Sequence, residues 1–318
     1  MATSKLNRKY GWKHDLPDSR DRVLKFARAD FPKRLPTSID LTKFCPPVYD
    51  QGTLGSCTGQ AIAGAIEYCL IKQAEMPDFS PSRLFIYYNE RELEGTINED
   101  AGAMIRDGIK VVNKFGVCPE PMWPYNISKF TMRPPVECYQ AALKDRVVEY
   151  ARVPQGLMSL KMCLASGFPI VFGITIYSSF ESDVVAKTGV VPMPSSNEEC
   201  LGGHAVLCVG YNDTTKKFIV RNSWGAGWGR HGYFTLPYAF MTNPHLSSDF
   251  WAIKLMGADV SVKIEKPVIE PVVNHIQHRS ESRVFNKGPL VVEKKVAQEH
   301  VASEASMVDA NLKLDAKK

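Results

Sequence analysis

The chain has 318 residues, 44% of them apolar, and a formal net charge of +5, enough for one large two-lobed domain or two small ones with ample core. The basic excess lies in the flanks: residues 1–36 carry ten Lys+Arg against four Asp+Glu, which leaves the middle of the chain mildly acidic. The opening MATSKLNRKYGWKHDL lacks the apolar segment of a secretory signal and no run reaches the ~18 residues of a membrane span, so the expectation is cytosolic synthesis without a membrane partner. Eight cysteines without any C-x-x-C spacing argue against a zinc site, and no metal or cofactor is expected.

In chain order, residues 1–36 form a basic arm with two open readings: a solvated tail, or a short pro-segment or lid drawn to the acidic body. Its only aromatics are Tyr10, Trp12, Phe26 and Phe31, too few for a nucleic-acid surface, so no nucleic-acid partner is expected. After an extended entry at LPTSIDLT comes Gln51-Gly-Thr-Leu-Gly-Ser-Cys57, which runs into TGQAIAGAIEYCLIKQ. Ala61, Ala65 and Cys69 with Ile62, Ile66 and Leu70 recur at helical spacing, which starts a helix at the cysteine. A thiol at a helix N-terminus meets unpaired N–H groups and the positive end of the macrodipole, which favour thiolate, the nucleophilic form.

Helices are expected over residues 82–94 and 103–115, the second ending at Gly116, and two more helical patterns fall within residues 136–168. From Pro169 the period shifts to strands: PIVFGITIY, GHAVLCVGY, KFIVRNSW, GYFTLP and DFWAIKL. Helices followed by strands point to an α+β architecture. His204 enters the second of these strands and Asn222 and Trp224 close the third, so the chain holds Cys, His and Asn in that order with Gln51 ahead of them. Gly227-Trp-Gly-Arg-His-Gly232 has the spacing of a dinucleotide fingerprint, but a strand follows it, leaving no helix to hold a pyrophosphate. Residues 257–318 are polar, with charges of alternating sign, and are expected to stay disordered.

On QGTLGSC, GGHAVLCVGY and NSWGAGWGRHGYF the chain resembles a papain-like cysteine peptidase over roughly Leu35 to Met256, closest in type to bacterial, archaeal and large-DNA-virus members. It departs from papain in having Thr58 after the cysteine, Leu54 in place of a disulfide-forming cysteine, and Gly203 in place of an acid before the histidine. The resemblance implies a catalytic domain over residues 37–256. A helical left lobe (about 45–145) and an antiparallel β right lobe (about 146–256) would flank the active-site cleft. It also implies a peptidase acting on peptides or proteins through a Cys57 thiolate paired with a His204 imidazolium. Asn222 would orient the histidine, Trp224 would shield that bond and border the substrate site, and the Gln51 amide with the Cys57 N–H would form the oxyanion hole.

By the same resemblance Gly102 would pair the substrate backbone, while Ser248, Asp249 and Phe250 would line the side-chain pocket, Asp249 favouring basic groups. A transglutaminase-like acyltransferase using the same thioester, and a non-catalytic binding relative, are the alternatives. The presence of all four groups favours the hydrolase.

Overall fold

The structure is a computed structural model that describes residues 8–26, 35–73, 79–143 and 147–255; the C-terminal tail expected from the sequence lies outside them. Its elements follow the expected order of helices then strands. Helix α1 (Cys57–Gln73) begins at the cysteine itself. Every residue of its first fourteen is buried, so it runs through the interior as a helix covered on all sides, packed on strands of the β lobe. Helix α2 (Arg83–Leu93) starts where the Ser82 hydroxyl accepts the Phe85 N–H, and α3 (Ile105–Phe115) stops at Gly116, whose φ of 78° lies in the left-handed region. Helices α4 (Val136–Ala142) and α5 (Leu157–Ala165) occupy the two later helical patterns.

The β lobe is one antiparallel sheet. Strands β4 (Val147–Arg152), β5 (Ile170–Tyr177), β6 (Cys200–Asn212), β7 (Lys217–Arg221), β8 (Tyr233–Pro237) and β9 (Ser247–Leu255) run in the spatial order β4-β9-β5-β6-β7-β8, and β2 (Ser38–Asp40) adds to the outer half of β6. Strand β2 falls in the segment read as an extended entry, whereas β4 was not expected from the sequence. β4 lies between two helical patterns, is short, and becomes a strand because β9 offers it a paired edge. The tryptophan-glycine segment turns directly into β8, as expected for residues 227–232. Among the described residues no helix is long and apolar enough to cross a membrane.

One polar contact ties the start of α1 to the helical lobe. The Thr58 hydroxyl donates to the Glu90 carboxyl at 2.7 Å, and Glu90 is fully buried. A side chain at Gly108 of α3 would overlap that carboxyl, so the glycine makes room for it. Burial raises the Glu90 pKa to about 8, the Thr58 hydrogen bond only partly opposing it, so the group is a neutral acid in the folded chain at neutral pH.

The unfolded chain releases this proton near pH 4.5 and the folded chain near 8. Stability from this group is therefore complete below pH 4.5 and falls as pH rises to about 8. Glu90→Gln removes that dependence. Thermal melts should show the variant gaining on the wild type from pH 5 to 8, on the order of a few kcal/mol; parallel pH profiles would contradict the buried neutral acid.

Candidate active site

Four side chains that the sequence placed far apart meet where α1 enters the sheet. Cys57 is the first residue of α1, and its sulfur accepts the backbone N–H of Ala205, next to His204, at 3.3 Å. His204 lies within β6 and its Nε2 faces Asn222 Oδ1 at 2.8 Å. Asn222 Oδ1 also accepts the Ser223 N–H at 2.9 Å, which identifies that atom as the oxygen. An amide oxygen only accepts, so Nε2 carries the imidazole hydrogen and Nδ1 keeps the lone pair. Nδ1 is buried and has no hydrogen-bond partner among the described residues.

Gln51 is held from both ends of its amide. Its Oε1 accepts the Ser223 hydroxyl at 2.7 Å, while its Nε2 donates to Leu54 O at 3.0 Å and reaches Lys9 O at 3.4 Å. The turn behind it is braced by Tyr125, whose hydroxyl donates to Gln51 O at 2.9 Å and bonds the Ser56 hydroxyl at 2.6 Å. The Gln51 donor thus points at a carbonyl oxygen contributed by the N-terminal arm.

The arm fills the cleft. Residues Trp12–Lys13 form strand β1, paired parallel with β3 (Ala103–Met104), and Ala103 N–H donates to Gly11 O at 2.7 Å. The Gly11 N–H lies near Cys57 and weakly opposes the rise in its pKa. A Cβ on Gly11 would overlap the Gly55 carbonyl, and a Cβ on Gly102, whose φ is 70°, would overlap the Gly11 backbone. Tyr10 sits edge-on to His204 and near Trp224, its hydroxyl bonded to Glu181, and the Arg8 guanidinium lies 4.5 Å above the Trp224 ring.

Further along, the fully buried Asp15 carboxylate meets Arg152 at 2.9 Å, the Trp251 indole N–H at 2.8 Å and the Arg106 backbone N–H at 3.0 Å. Arg152 also pairs with Asp21 of the arm and with Asp249. A bidentate-capable guanidinium gathering three carboxylates is a strong anchor for a segment that would otherwise be a solvated tail.

Closure sets the charge state. Cys57 and His204 have no exposed surface. Burial pushes the Cys57 thiol up to about 11, against the smaller opposing pull of the Ala205 and Gly11 N–H groups. It pushes His204 down to about 4, against the Asn222 hydrogen bond. With the acid so weak and the base so weak, the proton stays on sulfur. The thiolate–imidazolium pair implied by the sequence is not the form that this closed cleft favours.

The expected substrate-binding residues have clear positions. Gly102 leaves room for the arm's backbone, which is hydrogen-bonded by the neighbouring Ala103 N–H while the Gly102 N–H bonds the Tyr87 hydroxyl, and Trp224 lies tilted beside His204 with ring centroids 5.1 Å apart. Asp249, with φ 55°, spends its carboxylate on Arg152 and on the Asp15 N–H at 2.9 Å, and Ser248 faces His14. Phe250 is buried and stacks on Phe172, away from solvent. Sequence reasoning missed Tyr10, Gly11 and Trp12 as cleft residues. An aromatic-glycine-aromatic triplet inside a basic polar arm was the available signal.

Comparison with known proteins gives a consistent result. The family model described as papain family cysteine protease matches residues 35–246. A peptidase C1-like protein of Acanthamoeba polyphaga mimivirus is 43% identical over 298 residues, which cover 86% of this chain and 92% of that protein. Cathepsin K of Gallus gallus is 31% identical over 215 residues, 65% of this chain and 60% of the relative. Among solved structures, xylellain, a cysteine protease from Xylella fastidiosa, superposes with a TM-score of 0.74 at 43% identity, covering 80% of this chain and 99% of its own. A digestive procathepsin L 3 of Tenebrio molitor larval midgut, at 19% identity and a TM-score of 0.59, shares the fold.

The charge state is directly measurable. In the arm-closed protein the His204 imidazole should remain neutral down to about pH 4, read by ¹⁵N NMR of labelled histidine and assigned against His204→Gln. A midpoint near 6.5 would contradict the buried neutral pair.

Proposed function

Because the chain belongs to the papain family of cysteine proteases and is a cysteine peptidase of α+β, two-lobed fold, we propose that Cys57 is its nucleophile and His204 its acid and base. The carrying observation is the chain of contacts from Cys57 Sγ through the Ala205 N–H to a His204 ring whose Nε2 is held by Asn222 Oδ1. That bond leaves Nδ1 as the free lone pair, the nitrogen able to take the thiol proton. Removal of the arm rehydrates both groups, which lowers the thiol pKa, raises that of the imidazole, and brings the ion pair within reach.

The thiolate then attacks a peptide carbonyl carbon. The oxyanion is stabilised by the Gln51 Nε2–H and the Cys57 N–H, the same Gln51 donor that now faces Lys9 O. His204 gives its proton to the leaving amine as the C–N bond breaks, and later takes one from the water that cleaves the thioester. Asn222 keeps the ring oriented in both steps.

Residues 8–26 act in this reading as a built-in plug. The arm brings the Gly11 N–H near the sulfur. Its strand runs parallel to β3, so it fills the cleft without presenting a bond for attack. Supporting the reading are the anchoring of Asp15 and Asp21 on Arg152, and the excess of positive charge on a segment that meets a mildly acidic body.

Cys57→Ala should abolish hydrolysis of peptide substrates. Gln51→Ala should lower kcat by ~10²–10³ with KM little changed, since one oxyanion donor is lost. Steady-state kinetics check both, and undiminished kcat in Gln51→Ala would remove Gln51 from this role.

A further inference from the structure

We propose that Gln60 is a positioning residue of the active site: it holds Asn222, and through it the His204 ring, by way of one water bound in a small cavity between α1 and the sheet. The inference rests on the reading of His204 as acid and base, and adds the residue that steadies its partner.

The Asn222 amide is held at one end only. Its Oδ1 faces His204 Nε2 at 2.8 Å and accepts the Ser223 N–H at 2.9 Å, while its Nδ2 is buried and has no hydrogen-bond partner among the described residues. The residue is 3% exposed, so bulk water does not reach it. A buried donor left unpaired is costly, and native interiors rarely keep one without a bound water or ion.

Asn222 borders a cavity of about 10 Å³, lined by Tyr49, by Gln60 and Ala61 of α1, by residues 205–207 of β6 and by residues 221–223. That is the space of one probe sphere, enough for a single water that also has polar partners. Most polar side chains at the cavity are already committed. Arg221 only donates, the Tyr49 hydroxyl is bonded to Glu67, and the Ser223 hydroxyl donates to Gln51 Oε1.

Gln60 has an acceptor to spare, and its neighbours fix which way its amide points. The Tyr125 hydroxyl spends its hydrogen on Gln51 O, so it accepts in its bond with Ser56, and the Ser56 oxygen in turn accepts from Gln60 Nε2 at 3.2 Å. Gln60 Oε1 then accepts from Arg83 Nη1 at 3.3 Å and keeps a second lone pair. A water that accepts the Asn222 Nδ2–H and donates to this oxygen satisfies both side chains. Gln60 lies three residues after Cys57 on the same helix, so the helix that presents the nucleophile also tethers the partner of the base.

The kinetic test uses the full chain and reads kcat. The arm competes with substrate, so its closure enters KM and leaves kcat to the chemistry. Gln60→Met removes the acceptor but also the donor to Ser56, so the variants are compared in a Ser56→Ala background, where that second link is already cut. There Gln60→Met should lower kcat ~10-fold, whereas Gln60→Glu, which keeps the oxygen and can pair with Arg83, should stay within about twofold. In an Asn222→Ala background Gln60→Met should change kcat by less than about twofold, because the group it holds is gone.

Equal losses in the Met and Glu variants, or a Gln60→Met effect that adds in full to that of Asn222→Ala, would overturn the proposal and leave the peptidase mechanism standing. Unchanged kcat in Asn222→Ala itself would sink the mechanism's use of Asn222 as well.

A second readout needs no turnover. A crystal structure of the full chain should show one ordered water ~2.7–3.2 Å from both Asn222 Nδ2 and Gln60 Oε1. No water there, or one that bonds Asn222 without reaching Gln60, would overturn the proposal.

Discussion

The contact that organises the closed cleft is the backbone of Gly11 packed against two other glycines beside Cys57. Gly11 fits between the Gly55 carbonyl and Gly102 only because neither Gly11 nor Gly102 carries a side chain, and that close approach excludes water from Cys57 and His204 together. Desolvation disfavours charge on either group, so the thiol is weakly acidic and the imidazole weakly basic at once. The two groups that the proposed mechanism needs as ions are held neutral by the segment that covers them. Reactivity and concealment are therefore one equilibrium, set by how firmly the arm is seated.

The seat is built from unlike parts. At the sulfur the arm adds a short parallel strand to β3, beyond it Trp12 enters a slot formed by two glycines, and at its far end Asp15 and Asp21 share Arg152. Main-chain pairing gives position, the indole gives buried area, and the guanidinium gives direction. On the opposite side Tyr10 and Arg8 lie against His204 and Trp224. The arm thus touches both walls of the cleft.

Much of this was legible in the chain. The helix beginning at Cys57, the Gly116 stop and the strand carrying His204 are local signals of periodicity and capping and formed as read, while the helix expected from Ser82 starts at Arg83 with Ser82 as its cap and β7 ends at Arg221, one residue before Asn222. β4 was not legible, because a six-residue strand is defined by the neighbour that pairs it. The arm's course was hidden for a related reason: composition records that residues 1–36 are basic, whereas the seating of residues 8–26 depends on Arg152, Gly173 and Gly203, more than a hundred residues away. The charge state of the Cys57–His204 pair was also out of reach, since a helix N-terminus argues for thiolate and only the three-dimensional burial outweighs it.

The most direct test of the account is a single substitution at the arm's point of closest approach. Gly11→Val places a branched side chain where a Cβ already collides with the Gly55 carbonyl, so the arm can no longer seat. The account predicts that Cys57 in the full-length variant reacts with iodoacetamide at pH 7 at least ~10-fold faster than in the wild type, as its thiolate fraction recovers, with the melting temperature of the catalytic body little changed. An unaltered alkylation rate in a variant that remains folded would contradict it.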